Sequence, residues 1–128
     1  MKKLNSISGF SLLEMLLTLS IVAILATIAY PSYTHQMIKY RRVDGQMMLF
    51  QVAAALEIYF SEHNTYQNAS LENMTVPNTQ YYLLEISELS ALSYTISAIP
   101  KGPQANDSCG TLTLTHTQVK GPNAACWS

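Results

Sequence analysis

Gly9, Phe10 and Glu14 are the first residues in this chain that could do chemistry, and they open an apolar run that lasts to Tyr30. Glu14 is the only charged residue in that run. A charge at the centre of a bilayer costs roughly 2.5–3.5 kcal/mol on insertion scales, and such residues are usually functional. Glu14 lies near the edge of the run, which lowers this cost but still leaves the carboxylate in need of a partner.

Other reactive side chains form no recognisable site. His35, His63 and His116 are scattered, and Cys109 and Cys126 lack the close spacing that is typical of zinc ligands. The sequence has no glycine-rich phosphate loop, no nucleophile elbow and no paired carboxylates on one element. We therefore predict that the protein is not an enzyme and that it has no metal site and no cofactor.

Charge is sparse and unevenly distributed along the 128 residues, a length that suits one domain. The net charge is −1, but the chain beyond Arg42 has two basic residues against seven acidic ones, a balance of −5. A broad nucleic-acid surface needs clustered positive charge, so we do not expect nucleic acid as a partner.

The two cysteines, Cys109 and Cys126, both lie near the C-terminus. In a chain with a membrane segment, two cysteines suggest a disulfide that forms in an oxidising compartment. The alternative is a pair of unpaired buried thiols.

The apolar run from Phe10 to Tyr30 would form a helix about 30 Å long, which matches the hydrocarbon core of a bilayer. A membrane span is the direct interpretation. An ordinary secretory signal, cut after a small residue such as Ala26 or Ala29, would discard Glu14 and leave it without a role.

The helical pattern continues beyond the apolar run. We predict one long helix over about residues 10–61, with a kink or break at Pro31 because proline lacks an amide donor and disfavours helical geometry before it. Its second half should be amphipathic and pack on a sheet through residues at three- and four-residue steps. The stripe predicted to form this core consists of Tyr33, Met37, Tyr40, Met47, Phe50, Ala54 and Ile58.

A polar loop over residues 61–80 separates the helix from three strand candidates, Tyr81–Ser87, Leu92–Ile99 and Thr111–His116. The second and third alternate between apolar and polar residues, and a short fourth strand is possible near Val119. The predicted fold class is α+β, with a long N-terminal helix packed on a small antiparallel sheet of three or four strands.

The segment Gly9–Glu14, which reads Gly-Phe-Ser-Leu-Leu-Glu after a short leader containing Lys2 and Lys3, resembles the prepilin cleavage motif of type IV pilins. The common form of that motif is Gly-Phe-Thr-Leu-Ile-Glu-Leu, so the departures are mild. Residues 28–33 are similar to the proline-containing end of the pilin membrane segment. The region from Cys109 to Trp127 resembles the disulfide-bounded region of PilE-like minor pilins.

This resemblance implies a leader peptide over residues 1–9, a membrane and filament-core helix over 10–31, and a globular domain over 32–128. A prepilin peptidase would cut between Gly9 and Phe10, and the new amine of Phe10 would be methylated. Glu14 would pair with the Phe10 amine of a neighbouring subunit. An unpaired amine or carboxylate is costly in an apolar core, so the pair would fix the register of assembly.

The implied partners are other pilin subunits, the prepilin peptidase, an assembly platform with a motor ATPase, and the inner membrane. The implied location is the bacterial inner membrane before assembly and an extracellular fibre afterwards. Arg41 and Arg42 are expected where the helix leaves the membrane. They would lie on a solvated face or at lipid headgroups, or pair with acids of adjacent subunits.

The resulting hypothesis is a minor subunit of a type IV pilus that supports pilus assembly, adhesion, twitching motility or DNA uptake. One alternative is a pseudopilin of type II secretion, although Asp107 and the few nearby oxygens look too sparse for the calcium loop common there. A second is a competence pilin that binds DNA, with Lys101 and Lys120 flanking a small site. A third is a membrane-anchored periplasmic binding domain that never polymerises.

Overall fold

The computed structural model describes residues 9–76 and 79–128, which fall into two compact units. The first unit ends at Gln36 and the second runs from Met37 to Ser128. One helix, α1 (Leu12–His63), contributes its N-terminal part to the first unit and the rest to the second. The predicted leader lies outside the described residues, apart from Gly9.

The first unit contains the apolar part of α1, whose serine and threonine hydroxyls form hydrogen bonds within the helix. The Ser11 hydroxyl accepts a hydrogen bond from the amide of Glu14 at 3.2 Å, so it caps one of the free amides of the first turn. The hydroxyls of Thr18 and Ser20 each donate to the carbonyl four residues earlier, at 2.8 Å. From Leu12 to Ala29, Glu14 is therefore the one polar side chain that is not hydrogen-bonded to the helix backbone.

By length and composition, α1 is the one helix among the described residues that could cross a membrane. The helix continues through Pro31, whose carbonyl accepts a hydrogen bond from the Thr34 hydroxyl at 2.9 Å. The kink proposed at Pro31 stays a prediction.

The second unit contains a four-stranded antiparallel sheet in the order β1-β2-β3-β4. The α+β fold class is confirmed, including the short fourth strand. The strands are β1 (Tyr82–Leu89), β2 (Tyr94–Pro100), β3 (Leu112–Thr115) and β4 (Lys120–Gly121).

Alternation along the central strands puts one apolar face of the sheet into the core, as the sequence predicts. Tyr94, Ile96 and Ala98 of β2 are buried, and so are Leu112 and Leu114 of β3. Cross-strand register places Ile96 opposite Leu114 and Ala98 opposite Leu112, so the two strands present a single apolar layer.

The prediction for the face of α1 that covers this layer was wrong. Met47 is 56% exposed and Ile58 is 62% exposed, and Tyr40 is also exposed. The face that packs on the sheet consists of Gly45, Met48, Leu49, Val52, Ala53 and Leu56. Both sets recur at three- and four-residue steps, so periodicity alone could not distinguish them.

Close packing explains why the sheet takes the face with smaller side chains. A Cβ atom at Gly45 would lie only 2.9 Å from the Tyr82 ring, so at this position the helix approaches the sheet more closely than any larger residue would allow. Large side chains such as those of Tyr40 and Phe50 would hold the two elements apart, and they lie on the other side of the helix.

We expect Leu49→Ala to lower the free energy of unfolding by about 2–5 kcal/mol, because Leu49 is fully buried and the change leaves a cavity. The matched change Met47→Ala, on the exposed face, should alter it by less than about 0.5 kcal/mol. Denaturant unfolding of the full chain in detergent, followed by tyrosine and tryptophan fluorescence, measures both. Equal losses for the two variants would contradict this assignment of faces.

Candidate functional site

The residues predicted to direct processing and assembly lie at the start of α1. Gly9 and Phe10 precede the helix, and the Phe10 side chain is 76% exposed. Glu14 lies in the first turn, where the helix dipole favours an acid. Within the part of the chain that the structure describes, the only salt bridge joins two other residues, so the Glu14 carboxylate has no cationic partner there.

In the second unit, that salt bridge joins Arg42 of α1 to Asp107 in the loop between β2 and β3. The guanidinium contacts both carboxylate oxygens, Nε donating to Oδ2 at 2.9 Å and Nη2 donating to Oδ1. The Asp107 side chain is completely buried and that of Arg42 is 12% exposed. Arg42 therefore does not lie on a solvated helix face, because its charge is neutralised within the chain.

The geometry around Asp107 stabilises its charged form. Burial alone would raise the pKa of the carboxyl, but hydrogen bonds from Arg42 and from the Cys109 amide, with the charge of Arg42, hold that pKa below its usual value. The same hydrogen bond to Asp107 raises the pKa of Arg42. Both groups are therefore ionised throughout the physiological range.

Gln104 extends this pair into a buried polar network. Its Nε2 lies 3.0 Å from the carbonyl of Ile38, the hydroxyl of Tyr82 and the Oδ2 of Asp107. Burial raises the pKa of Tyr82 to about 12, so its hydroxyl stays neutral. The network fastens the β2–β3 loop to α1 at the start of the second unit.

The disulfide predicted between Cys109 and Cys126 is confirmed, with an S–S distance of 2.02 Å. It closes a segment that contains β3 and β4 and that is tied to α1 at both ends. Asp107, bound to Arg42, accepts from the Cys109 amide at 3.1 Å. Gln46 donates to the carbonyl of Cys126 at 2.8 Å.

Lys120 lies at the surface of this closed segment, above two aromatic rings. Its ammonium is 5.4 Å from the ring centroid of Phe50 and 5.3 Å from that of Trp127, distances at which a cation is attracted to the ring faces. Trp127 is oriented by a hydrogen bond from its Nε1 to the carbonyl of Gly121 at 2.8 Å. The arrangement presents one positive charge on an ordered aromatic base.

Arg41 adopts a related arrangement at the start of the second unit, where its guanidinium carbon lies 4.5 Å from the centroid of the Tyr81 ring. Lys101 lies next to Tyr81, because its backbone amide donates a hydrogen bond to the carbonyl of Tyr81 at 2.8 Å.

No local sequence pattern predicts the buried network. Arg42 and Asp107 are 65 residues apart, and Gln104 and Asp107 lie in a polar stretch that predicts only a surface loop. Asp107, whose surroundings in the sequence look too sparse for a calcium loop, is fully occupied by Arg42, Gln104 and the Cys109 amide. Across residues 9–76 and 79–128, no group of three or more His, Cys, Asp or Glu side chains could hold a metal ion.

Comparison with family models finds two matches that together cover most of the chain. Residues 31–113 match the family described as "Type IV minor pilin ComP, DNA uptake sequence receptor". Residues 4–30 match the prokaryotic N-terminal methylation motif. Among curated proteins, none matches.

The solved structures that are similar to the chain include two pilins. A type IV pilin from Shewanella oneidensis is 32% identical, with a TM-score of 0.60 over 71% of this chain and 98% of that one. The non-core minor pilin PilV from Neisseria meningitidis is 19% identical, with a TM-score of 0.59 over 71% of this chain and 94% of that one. The second likeness shows the fold alone.

We expect Asp107→Asn to lower the free energy of unfolding at pH 7 by about 3 kcal/mol, because Arg42 keeps its charge in a largely buried position without a counter-ion. The exposed Asp44→Asn is the matched control and should change stability by less than about 0.5 kcal/mol. Thermal unfolding of the full chain in detergent measures both.

The pH dependence of the same unfolding experiment tests whether folding lowers the pKa of Asp107. Folding lowers the pKa of the Asp107 carboxyl. The ion pair therefore contributes its full stabilisation at pH values above the pKa of an unfolded Asp, about 3.9, and this stabilisation is lost as the pH falls through the pKa of the folded state. The difference between wild type and Asp107→Asn should therefore shrink below about pH 4. A difference that stays constant down to pH 2 would contradict the ion pair.

Proposed function

The chain belongs to the family of type IV minor pilins and is a subunit of a type IV pilus, and we propose that its precursor is cut between Gly9 and Phe10 and enters the fibre through a Glu14–amine pair. The family is a structural one rather than an enzyme family, and its members interact with other pilin subunits. The single observation that carries the proposal is the exposed Glu14 in the otherwise apolar N-terminal part of α1, where no salt bridge joins it to another described residue.

Cleavage at this point is supported by the order of the elements. Gly9 and Phe10 precede α1, and Ser11 already caps the helix through the amide of Glu14. A cut after Gly9 would remove the leader without disturbing the first turn. Methylation of the new Phe10 amine is supported by the match of residues 4–30 to the methylation motif.

The proposed pairing solves the energetic problem that Glu14 poses. Burying a carboxylate or an amine alone in an apolar fibre core costs several kcal/mol, whereas an ion pair in good geometry offsets much of this cost. The partner amine on Phe10 would exist only after the leader is removed. An uncut precursor would therefore bring an unpaired acid into the fibre and be disfavoured.

The proposed partners and cellular location also depend on the N-terminal part of α1. We place the precursor in the bacterial inner membrane through the N-terminal part of α1, facing a prepilin peptidase, and the mature chain in an extracellular fibre raised by an assembly platform and a motor ATPase. The apolar helix and the methylation motif support the membrane-anchored stage.

Glu14→Gln should reduce the amount of the chain in sheared fibres about tenfold or more, because a neutral amide cannot pair with the charged Phe10 amine of a neighbour. The measurement is an immunoblot of sheared fibres against the membrane fraction in the native host. Glu62→Gln, at the exposed C-terminal end of α1, is the matched control and should enter fibres like wild type.

N-terminal mass analysis of the mature chain accompanies this experiment. Both wild type and Glu14→Gln should begin at a methylated Phe10, which would separate an assembly defect from a processing defect. An intact Met1, or an N-terminus created by cleavage after Ala26 or Ala29, would overturn the proposed processing.

A second candidate function, DNA binding, is favoured by the family description, which names a DNA uptake sequence receptor. The net negative charge beyond Arg42 limits any such site to a small area. Lys101 and Lys120 are the basic residues there, and neither takes part in a salt bridge among the described residues. Lys120 on its aromatic base is well placed to meet a phosphate, because its long side chain is already ordered.

If the protein binds duplex DNA, a gel-shift assay of the full chain in detergent should show a complex at about 150 mM salt. The double variant Lys101→Gln/Lys120→Gln should weaken binding and reduce the slope of log affinity against log salt by about two, one for each lost phosphate contact. Lys39→Gln, which removes one positive charge outside the candidate site, is the control and should leave the slope unchanged. Absence of any complex with wild type would overturn this second candidate.

A further inference from the structure

Strand β1 forms one edge of the sheet, and this edge is long. The opposite edge, β4, is only two residues long and contains a lysine, two features that protect a sheet edge from pairing with another chain. Strand β1 has eight residues, with no proline and no lysine, and its register with β2 is regular from Tyr82 to Ile86. An edge strand of this kind can accept a further extended chain.

The register of β1 shows which of its backbone groups point outward. The Lys101 amide donates to the Tyr81 carbonyl at 2.8 Å, so the backbone of Tyr81 faces the β2 side. In an antiparallel ladder this direction alternates from one residue to the next. The N–H and C=O groups of Leu84 and Ile86 therefore point away from β2. Among the residues that the structure describes, no backbone hydrogen bond reaches these groups from the outer side.

An open apolar groove lies beside these backbone groups. It has a volume of about 540 Å³ and is lined on one side by β1 and on the other by residues 69–72. A second cavity of about 370 Å³ continues it toward the start of β1. Binding clefts have volumes of about 300–1,000 Å³, so the groove is large enough to hold several side chains of a partner. Its apolar lining consists of Ala69, Leu71, Leu84, Ile86 and Leu89.

Carboxylates border this groove. Glu72 lines one side and Glu85 the other, and Glu88 follows along β1. All three residues are exposed, and none takes part in a salt bridge among the described residues. Because side chains alternate along a strand, Glu85 lies on the opposite face of β1 from the core-facing Leu84. The edge therefore presents apolar groups on one face and negative charge on the other.

We propose that the groove binds an extended segment of a partner protein, which alternates between apolar and basic side chains and adds to β1 as an antiparallel fifth strand. The backbone of this segment would bond to the outward groups of Leu84 and Ile86. Its apolar side chains would lie beside Leu71, which packs against the core, and its lysines or arginines would lie opposite Glu85. The surface goes beyond the proposed function, since it depends neither on processing nor on entry into a fibre.

Charge disfavours two other occupants of this edge. Two copies of the chain paired through β1 would bring Glu85 and Glu88 of one copy close to the same acids of the other, and like charges on facing strands destabilise a sheet. A nucleic acid would be repelled by the same carboxylates. A basic segment is attracted by them.

Binding of synthetic peptides to the full chain in detergent tests the proposal. The probe is a blocked, fluorescently labelled peptide that alternates valine and lysine over the eight-residue length of β1, and binding is followed by fluorescence anisotropy. In an antiparallel fifth strand the valine amides face β1 and the lysine amides face solvent. N-methylation of the valines should therefore weaken binding about tenfold or more, whereas N-methylation of the lysines should leave it unchanged. Any other order of affinity, or no binding of the unmodified peptide at about 1 mM, would overturn the inference.

Substitution of the acid provides a second measurement with the same peptide. Glu85→Gln should weaken binding about two- to fivefold, the effect of one lost cross-strand charge pair. Glu62→Gln removes the same charge at the exposed end of α1 and should bind the peptide like wild type. Equal affinities for the two variants would show that the peptide is not held at this edge.

Hydrogen exchange, read residue by residue by NMR, locates the bound peptide. The amides of Leu84 and Ile86 should become protected when the peptide is added, and those of Leu83 and Glu85, which already face β2, should not change. Protection that appears elsewhere would contradict the assigned groove. Protection of Leu84 and Ile86 that rises with protein concentration in the absence of peptide would assign the edge to a second copy and overturn the proposed partner.

Discussion

The structure depends on one constraint: a single helix must provide the core of a small domain with only part of its circumference. The four-stranded sheet can cover one face of α1, and it covers the face built from Gly45, Leu49, Val52 and Leu56, where close approach is possible. The apolar residues of the N-terminal part of α1 are exposed among the described residues. The sheet therefore buries only one part of the apolar surface of this helix.

Covalent and polar links compensate for the small core. In the chain-entropy model, closing the sixteen-residue loop between Cys109 and Cys126 is worth about 3 kcal/mol, a large fraction of the stability of a typical domain. The pair of Arg42 and Asp107 ties the Cys109 end of this segment to α1, and Gln46 ties the Cys126 end through its hydrogen bond to the Cys126 carbonyl. The closed segment is thereby held at both ends, which leaves its surface, with Lys120 and Trp127, rigid enough to present to a partner.

The sequence was sufficient for the fold class, the sheet and the disulfide, because each follows from a local pattern. Alternation fixed the inward residues Ile96, Leu112 and Leu114, and the residues from Gly9 to Glu14 carried the family resemblance. The sequence was insufficient wherever a contact joins two parts of the chain that are distant in sequence. It could not tell which of two apolar faces of α1 the sheet would cover, and it could not pair Arg42 with Asp107 across 65 residues. The kink at Pro31 and the roles of Phe10 and Glu14 stay predictions.

The error over the helix face is itself informative about how such a chain works. Residues selected for large apolar side chains at helical spacing are normally core, and the pattern from Tyr40 to Ile58 has that character in full. In this chain the sheet packs on the other face, so the same pattern leaves large apolar side chains at the surface of the helix. Glu14 presents a related case in electrostatic form, since no salt bridge joins its carboxylate to a cation among the described residues. In the assembly proposed above, the Phe10 amine of a neighbouring subunit would supply that charge, and the cost of burying either group alone would be offset by the pair.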